Sequence, residues 1–249
     1  MNFNASGHID RGDYNVYNFE GELPTDNFIL GIVTPDYYDK YGNIFVNSAI
    51  KLGENVHMHI INPTSDNLPE EVTVTTSTHP NMTKNVFCPY RFVIIQEILS
   101  RVSCGLWMFD IDGEFVKSGL DYSSEGIGLF VRNKDDYMKD RTGWDRDWAG
   151  TYLAAFYIFP NDENRKCIQF FIDRVKERQL KWCLCQGTMY RLYQECKDEF
   201  NFFQVQDTTI NIWPGDKDNY LFYHYGKGTD YKGDKVIVEG RGINYDGSF

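Results

Sequence analysis

The chain has 249 residues, 42% apolar and 16% aromatic, enough to bury a substantial core and too apolar for a disordered segment. Its net charge of −11 argues against general affinity for nucleic acid or anionic membrane, since counterion release needs Lys and Arg. The start, "MNFNASGHIDRGDYNVYNFEG", has no basic or apolar leader region, no run reaches transmembrane length, and the six cysteines form no C-x-x-C pair. A cytoplasmic protein with reduced thiols is expected, bacterial or, if viral, in the host cytoplasm.

Residues 1–25 are polar and without periodicity, and are expected to form an irregular arm ahead of a single domain over 26–235 and a tail over 236–249. "NFILGIVTP" carries a buried strand, Phe28 to Val33, closed by Pro35. "YGNIFVNSAIKLGEN" has apolar residues at helical spacing and ends at Gly53, a natural C-cap. "VHMHIINP" gives a second strand, Val56 to Ile61, so a βαβ unit and a parallel sheet are expected. His57 and His59 alternate in that strand, share a face, and read as structural.

"EEVTVTTST" is rich in β-formers. "PYRFVIIQEILSRV" predicts a helix with Pro89 in its first turn, Arg91 near its start and off the apolar face, and Glu97 and Arg101 as an i,i+4 pair. "GLWMFDID" is a strand apolar on both faces, and "GIGLFVR" and "TYLAAFYIFP" are further strands. A helix capped by Asn161 or Asp162 follows, then a helical stretch "KWCLCQGTMYRLYQEC", then strands in "FNFFQVQ" and "NYLFYHYGKG".

The run "GLWMFDIDGEF" stops abruptly at two aspartates. Ligands of an open α/β sheet bind beyond the carboxyl ends of its strands. Alternation puts Asp110 and Asp112 on one side with Ile111 turned back, and two carboxylates so placed repel unless a cation joins them. Oxygen ligands at this spacing suit Mn²⁺ or Mg²⁺ bound together with a substrate diphosphate. The plainer reading is a turn capped by aspartates before Gly113.

With these pieces in order, the chain resembles nucleotide-sugar glycosyltransferases of the GT-A fold, distantly the glycogenin-like ones. "ILGIVTP" resembles their first strand, "YRFVIIQEIL" the helix before the metal strand, and "LWMFDID" the D-x-D strand. "DWAGTYLAAFYIFPNDENRKCIQFF" resembles the sugar-pocket segment, "WCLCQGTMYRLY" the Asp-Gln segment, and "FYHYGKGTDYKG" the C-terminal histidine followed by Gly and Lys. Together they span roughly residues 28 to 232. Cys185 stands where an aspartate would precede Gln186, and Ala154 and Ala155 where Asn-x-Gly is more usual.

The resemblance implies an α/β fold with a Rossmann-like, mostly parallel sheet, and metal-dependent transfer of a sugar from a nucleoside-diphosphate donor, UDP-linked, to a hydroxyl acceptor on a glycoconjugate. It implies Asp110, Asp112 and His224 as ligands of Mn²⁺ or Mg²⁺, with a backbone-bonded histidine as the alternative for His224. Thr34, Pro35, Asp36 and Arg91 would meet the nucleotide, and Asp110 would also reach its ribose. Lys227 would neutralise the leaving diphosphate, with Gly226 and Gly228 opening backbone N–H groups to phosphate. Gln186 and Asp147 would bind sugar hydroxyls, and Asp147 or Asp207 could serve as a base. Trp144 and Trp148 could stack on a sugar or anchor their loop. Other readings are a phage-type enzyme acting on hydroxymethylated DNA bases, which the charge disfavours, a nucleotidyltransferase or nucleotide-sugar hydrolase, and a non-catalytic binding module.

Overall fold

The computed structural model describes residues 12–64, 68–132, 147, 150–178, 180, 184–211 and 216–225. Its main sheet has eight strands in the order β1-β4-β3-β2-β5-β8-β7-β9. In chain order these are β1 (Tyr17–Gly21), β2 (Phe28–Val33), β3 (Val56–Ile61), β4 (Thr73–Thr78), β5 (Leu106–Phe109), β7 (Ile127–Val131), β8 (Thr151–Ile158) and β9 (Phe202–Gln204). β6 (Gly113–Phe115) and β10 (Phe222–His224) form a separate antiparallel pair. The helices are α1 (Pro35–Lys51), α2 (Lys84–Leu99), α3 (Asp162–Lys176) and α4 (Leu184–Cys196).

The strands β4, β3, β2 and β5 run parallel, and antiparallel strands flank them on both sides. This is a mixed α/β architecture with a large central sheet between helices, compatible with a Rossmann-like fold. Alternation along β2 explains the two layers. Phe28, Leu30 and Ile32 face one core with α2, α3 and α4, while Ile29 and Val33 face the other with α1. The connections leave β2 toward β3 on one side and reach β5 on the other. The carboxyl ends of β2 and β5 therefore flank a point where strand order reverses, the place where open sheets bind ligands.

Three local expectations change. The arm is not wholly irregular, because Tyr17–Gly21 pairs with β4 as an edge strand. An edge strand needs only one row of backbone partners, so its sequence can stay polar. Helix α2 starts five residues before Pro89, because the Thr83 side chain accepts the Val86 N–H at 3.3 Å and sets the N-terminus. Pro89 then lies inside the helix, and Arg91 lies in its middle, buried rather than on the surface. The expected exposed pair does form, between Glu97 and Arg101. Among the described residues no helix is long and apolar enough to cross a membrane.

β3 and β4 bury a polar ladder. Parallel register sets His57 opposite Thr73 and His59 opposite Thr75. His57 Nδ1 and Nε2 meet the Thr73 and Thr75 hydroxyls at 2.9 and 2.8 Å, and His59 Nδ1 and Nε2 meet Thr75 and Ser77 at 2.9 Å each. A hydroxyl both donates and accepts, so two neutral rings are satisfied head to tail. Burial holds the His57 imidazolium well below its usual range, to about 4, and His59 to about 3. These histidines are structural, as their alternation indicates.

Candidate metal centre

β5 ends at Phe109, but its ladder runs one residue further, since the Asp110 N–H donates to the Ala154 carbonyl at 2.9 Å. The chain then leaves the large sheet. Ile111 is buried against the α1 core, and Gly113 opens β6 opposite His224. A side chain at Gly113 would collide with Phe222 and with the Tyr223 carbonyl, at 2.3 and 2.6 Å from its Cβ, so this close crossing admits only glycine. The Tyr225 N–H donates to the Asp112 carbonyl at 2.8 Å, which locks the D-x-D segment to the end of β10.

The outcome is a cluster. One ligand atom from each of Asp110, Asp112 and His224 lies within 4.8 Å of the others, and all three residues are half-buried. His224 Nε2 is 3.0 Å from Asp112 Oδ1 and 4.0 Å from Asp110 Oδ2. Two carboxylates and an imidazole could hold a divalent cation and leave it coordination positions for a second ligand.

The carboxylates already have protein partners. Arg91 reaches from the middle of α2 to form an ion pair with Asp110. Its Nε is buried without a hydrogen-bond partner among the described residues. Burial works against the charge on Arg91, but the adjacent Asp110 carboxylate outweighs it and raises the guanidinium pKa. Asp112 accepts from the Tyr37 hydroxyl at 2.8 Å and pairs with His224. Burial pushes the Asp112 carboxyl up, but the bond and charge of His224 and the Tyr37 bond hold it below its usual range. Burial likewise pulls His224 down, and the Asp112 carboxylate more than reverses this and raises it. Burial and then Asp112 raise the Tyr37 hydroxyl. Like-charge repulsion between the aspartates, expected from sequence to demand a cation, is thus partly met by Arg91 and His224.

His224 is held firmly. The Asn211 side chain brackets its backbone, accepting from His224 N–H at 2.5 Å and donating to His224 C=O at 3.1 Å. The Tyr152 hydroxyl lies 3.0 Å from Nδ1. None of Tyr37, Tyr152 and Asn211 was indicated by sequence. Pro35 begins α1, and the Thr34 carbonyl accepts the N–H groups of Tyr37 and Tyr38, so the Thr34–Asp36 segment adjoins the cluster through Tyr37. Asp36 itself is exposed.

The Gln186 backbone carbonyl accepts from the Thr151 hydroxyl at 2.9 Å, while its side-chain Oε1 is buried without a hydrogen-bond partner among the described residues, and Asp147 forms an ion pair with Arg191 of α4. Asp207 lies in an exposed turn. Cys185 is a core residue. Gly226, Lys227, Gly228, Lys232, Trp144, Trp148 and Cys183 lie outside the described residues. No protein-family model and no curated protein matches the chain.

Proposed function

We propose that Asp110, Asp112 and His224 bind Mn²⁺ or Mg²⁺ and that the site transfers a sugar from a nucleoside-diphosphate donor to a hydroxyl acceptor. One observation carries this reading. Two carboxylates at the end of β5 meet a histidine 112 residues away in sequence, at the sheet edge where strand order reverses. The ordered motifs that resemble GT-A glycosyltransferases support the donor class, with UDP as its first candidate.

When bound, the cation would supply Lewis-acid stabilisation of the departing diphosphate. Asp110 and Asp112 would hold it, and His224 would add its neutral nitrogen. Arg91 holds Asp110 in place and would add fixed positive charge to a site that binds a diphosphate. Tyr37 orients the second oxygen of Asp112. Lys227, with Gly226 and Gly228, is the expected further anion contact. The acceptor is proposed to be a glycan or similar glycoconjugate, with modified DNA disfavoured by the charge of −11.

A thermal-shift screen of UDP, GDP, ADP and CDP, each with and without Mn²⁺ or Mg²⁺, tests this. A ligand at about 100 times its Kd stabilises by about 2.7 kcal/mol. Stabilisation by one nucleoside diphosphate only with the cation is expected, followed by sugar transfer rather than hydrolysis when acceptor is supplied. No response to any of these ligands would sink the proposal. The pairing of each carboxylate with a cationic side chain favours one other reading, a closed structural ion-pair network. That reading expects no response to cations and no effect of Asp112→Ala on nucleotide binding.

A further inference from the structure

We infer that Tyr152 is the residue that positions His224 for metal binding, its hydroxyl exchanging the roles of donor and acceptor at Nδ1 as the cation enters. The inference rests on the metal reading of the Asp110–Asp112–His224 cluster.

The argument follows from the two ring nitrogens. Nε2 lies 3.0 Å from Asp112 Oδ1, and Nδ1 lies 3.0 Å from the Tyr152 hydroxyl. A carboxylate only accepts, so in the cation-free site Nε2 carries a proton and donates it to Asp112. When the ring holds only that proton, Nδ1 is an acceptor and the Tyr152 O–H donates to it. A cation seated against the carboxylates needs the Nε2 lone pair. The single ring proton must then sit on Nδ1, where it needs an acceptor. The phenol oxygen supplies one, because a hydroxyl can donate or accept by rotating its hydrogen. The Nδ1 contact therefore survives the change of tautomer, and ligating histidines generally need such a partner on the second nitrogen.

The surroundings fit this role. Tyr152 is fixed by β8, where it pairs with Phe130 of β7. Its ring meets the imidazole edge-on, with centroids 6.0 Å apart at 85°. The Arg132 guanidinium lies 5.4 Å from the ring centroid on the tyrosine. Asn211 fixes the His224 backbone, so Tyr152 and Asp112 between them leave the ring little freedom to turn.

Tyr152→Phe keeps the ring and removes only the hydroxyl. The test titrates Mn²⁺ alone, read by electron paramagnetic resonance of the free ion, and follows the His224 ring nitrogens by ¹⁵N spectroscopy with diamagnetic Zn²⁺. Affinity is expected to fall by about 10- to 100-fold in the variant, the usual effect of losing such a partner. At a pH high enough to leave the metal-free ring neutral, the wild-type ring is expected to carry its proton on Nε2 without metal and on Nδ1 with Zn²⁺. Equal Mn²⁺ affinity in the two proteins would overturn the role of Tyr152 and leave the metal site standing. Failure of the wild type to bind Mn²⁺ would overturn both. If the variant does not fold, the wild-type spectrum decides, and an Nδ1 without a proton in the Zn²⁺ complex overturns the inference.

Discussion

His57 and His59 meet only hydroxyls, whereas His224 meets a carboxylate and a phenol. Both settings satisfy every ring nitrogen, yet their electrostatics are opposite. In the ladder, burial works against charge and outweighs the Thr73 contact that favours it on His57, so the rings stay neutral. At the sheet edge, burial is outweighed by Asp112, so His224 holds a proton more readily than a free histidine. The pH dependences therefore have opposite signs. The ladder contributes stability that is present above a pH of about 6.5 and is lost on acidification toward about 4 for His57 and about 3 for His59. The His224 contribution is full below the unfolded value and is lost as pH rises through the raised folded one. The contribution of Asp112 is present above the usual carboxylate range and is lost as pH falls through its lowered folded value. A histidine bonded only to hydroxyls organises a core, while one bonded to a carboxylate beside a second carboxylate can exchange its proton for a metal.

The largest expected effect breaks the charged side of this comparison. Asp112→Asn keeps the volume but removes the charge that holds the His224 proton and one anionic ligand. Mn²⁺ affinity should fall by more than ~100-fold, beyond what loss of an outer partner causes. The ladder should be untouched, while the part of the acid-side stability loss that comes from protonating Asp112 should disappear. Mn²⁺ titration and denaturant unfolding across pH measure both. Unchanged affinity would leave the structural ion-pair reading in possession of the site.

The ladder is probed by His59→Gln, which shortens the relay and removes one titrating ring. A cost of about 2 kcal/mol is expected, because a buried hydroxyl loses its partner. More telling is the slope. Between pH 6.5 and about 3 the wild-type unfolded chain takes up a proton at this position that the folded one refuses. The variant should therefore lose stability less steeply on acidification, by about 1.4 kcal/mol per pH unit. Its Mn²⁺ affinity should equal that of the wild type. A parallel acid limb would show that His59 is protonated in the fold.

What was legible in the sequence divides along the same line. Phe28–Val33 and Val56–Ile61 have the bounds expected, because a short apolar run and an alternating apolar run, each soon followed by Pro, leave little choice. The ladder histidines were legible because alternation with apolar residues fixes their face. The aspartates were legible as charges placed abruptly after "LWMF". Arg91 was misplaced because Pro89 suits a first turn, while the Thr83 cap decides where the helix begins. Tyr37, Tyr152 and Asn211 carry no local signal. Tyr37 faces Asp112 only because α1 starts at the switch point, and Tyr152 reaches His224 only through the register of β8 and β10 with their neighbours. Sequence pattern records which face a residue takes, and the partner found there depends on strand order.

The smallest expected effect on the metal site sharpens the comparison from the backbone side. Asn211 is buried and bonds both the N–H and the C=O of His224 without touching its ring. Asn211→Ala leaves two backbone groups short of partners, at a cost of about 2 kcal/mol. The ring keeps Asp112 and Tyr152, and β10 keeps its pairing with β6 and the Tyr225 bond to Asp112. Mn²⁺ affinity should therefore drop by less than ~10-fold, the low end of outer-partner effects. The acid limb set by His57 and His59 should shift down uniformly without a change in slope. Denaturant unfolding at several pH values, paired with Mn²⁺ titration, separates the two quantities. An affinity loss as large as that of Asp112→Asn would mean that the Asn211 bracket, rather than the side-chain contacts, places the imidazole among the carboxylates.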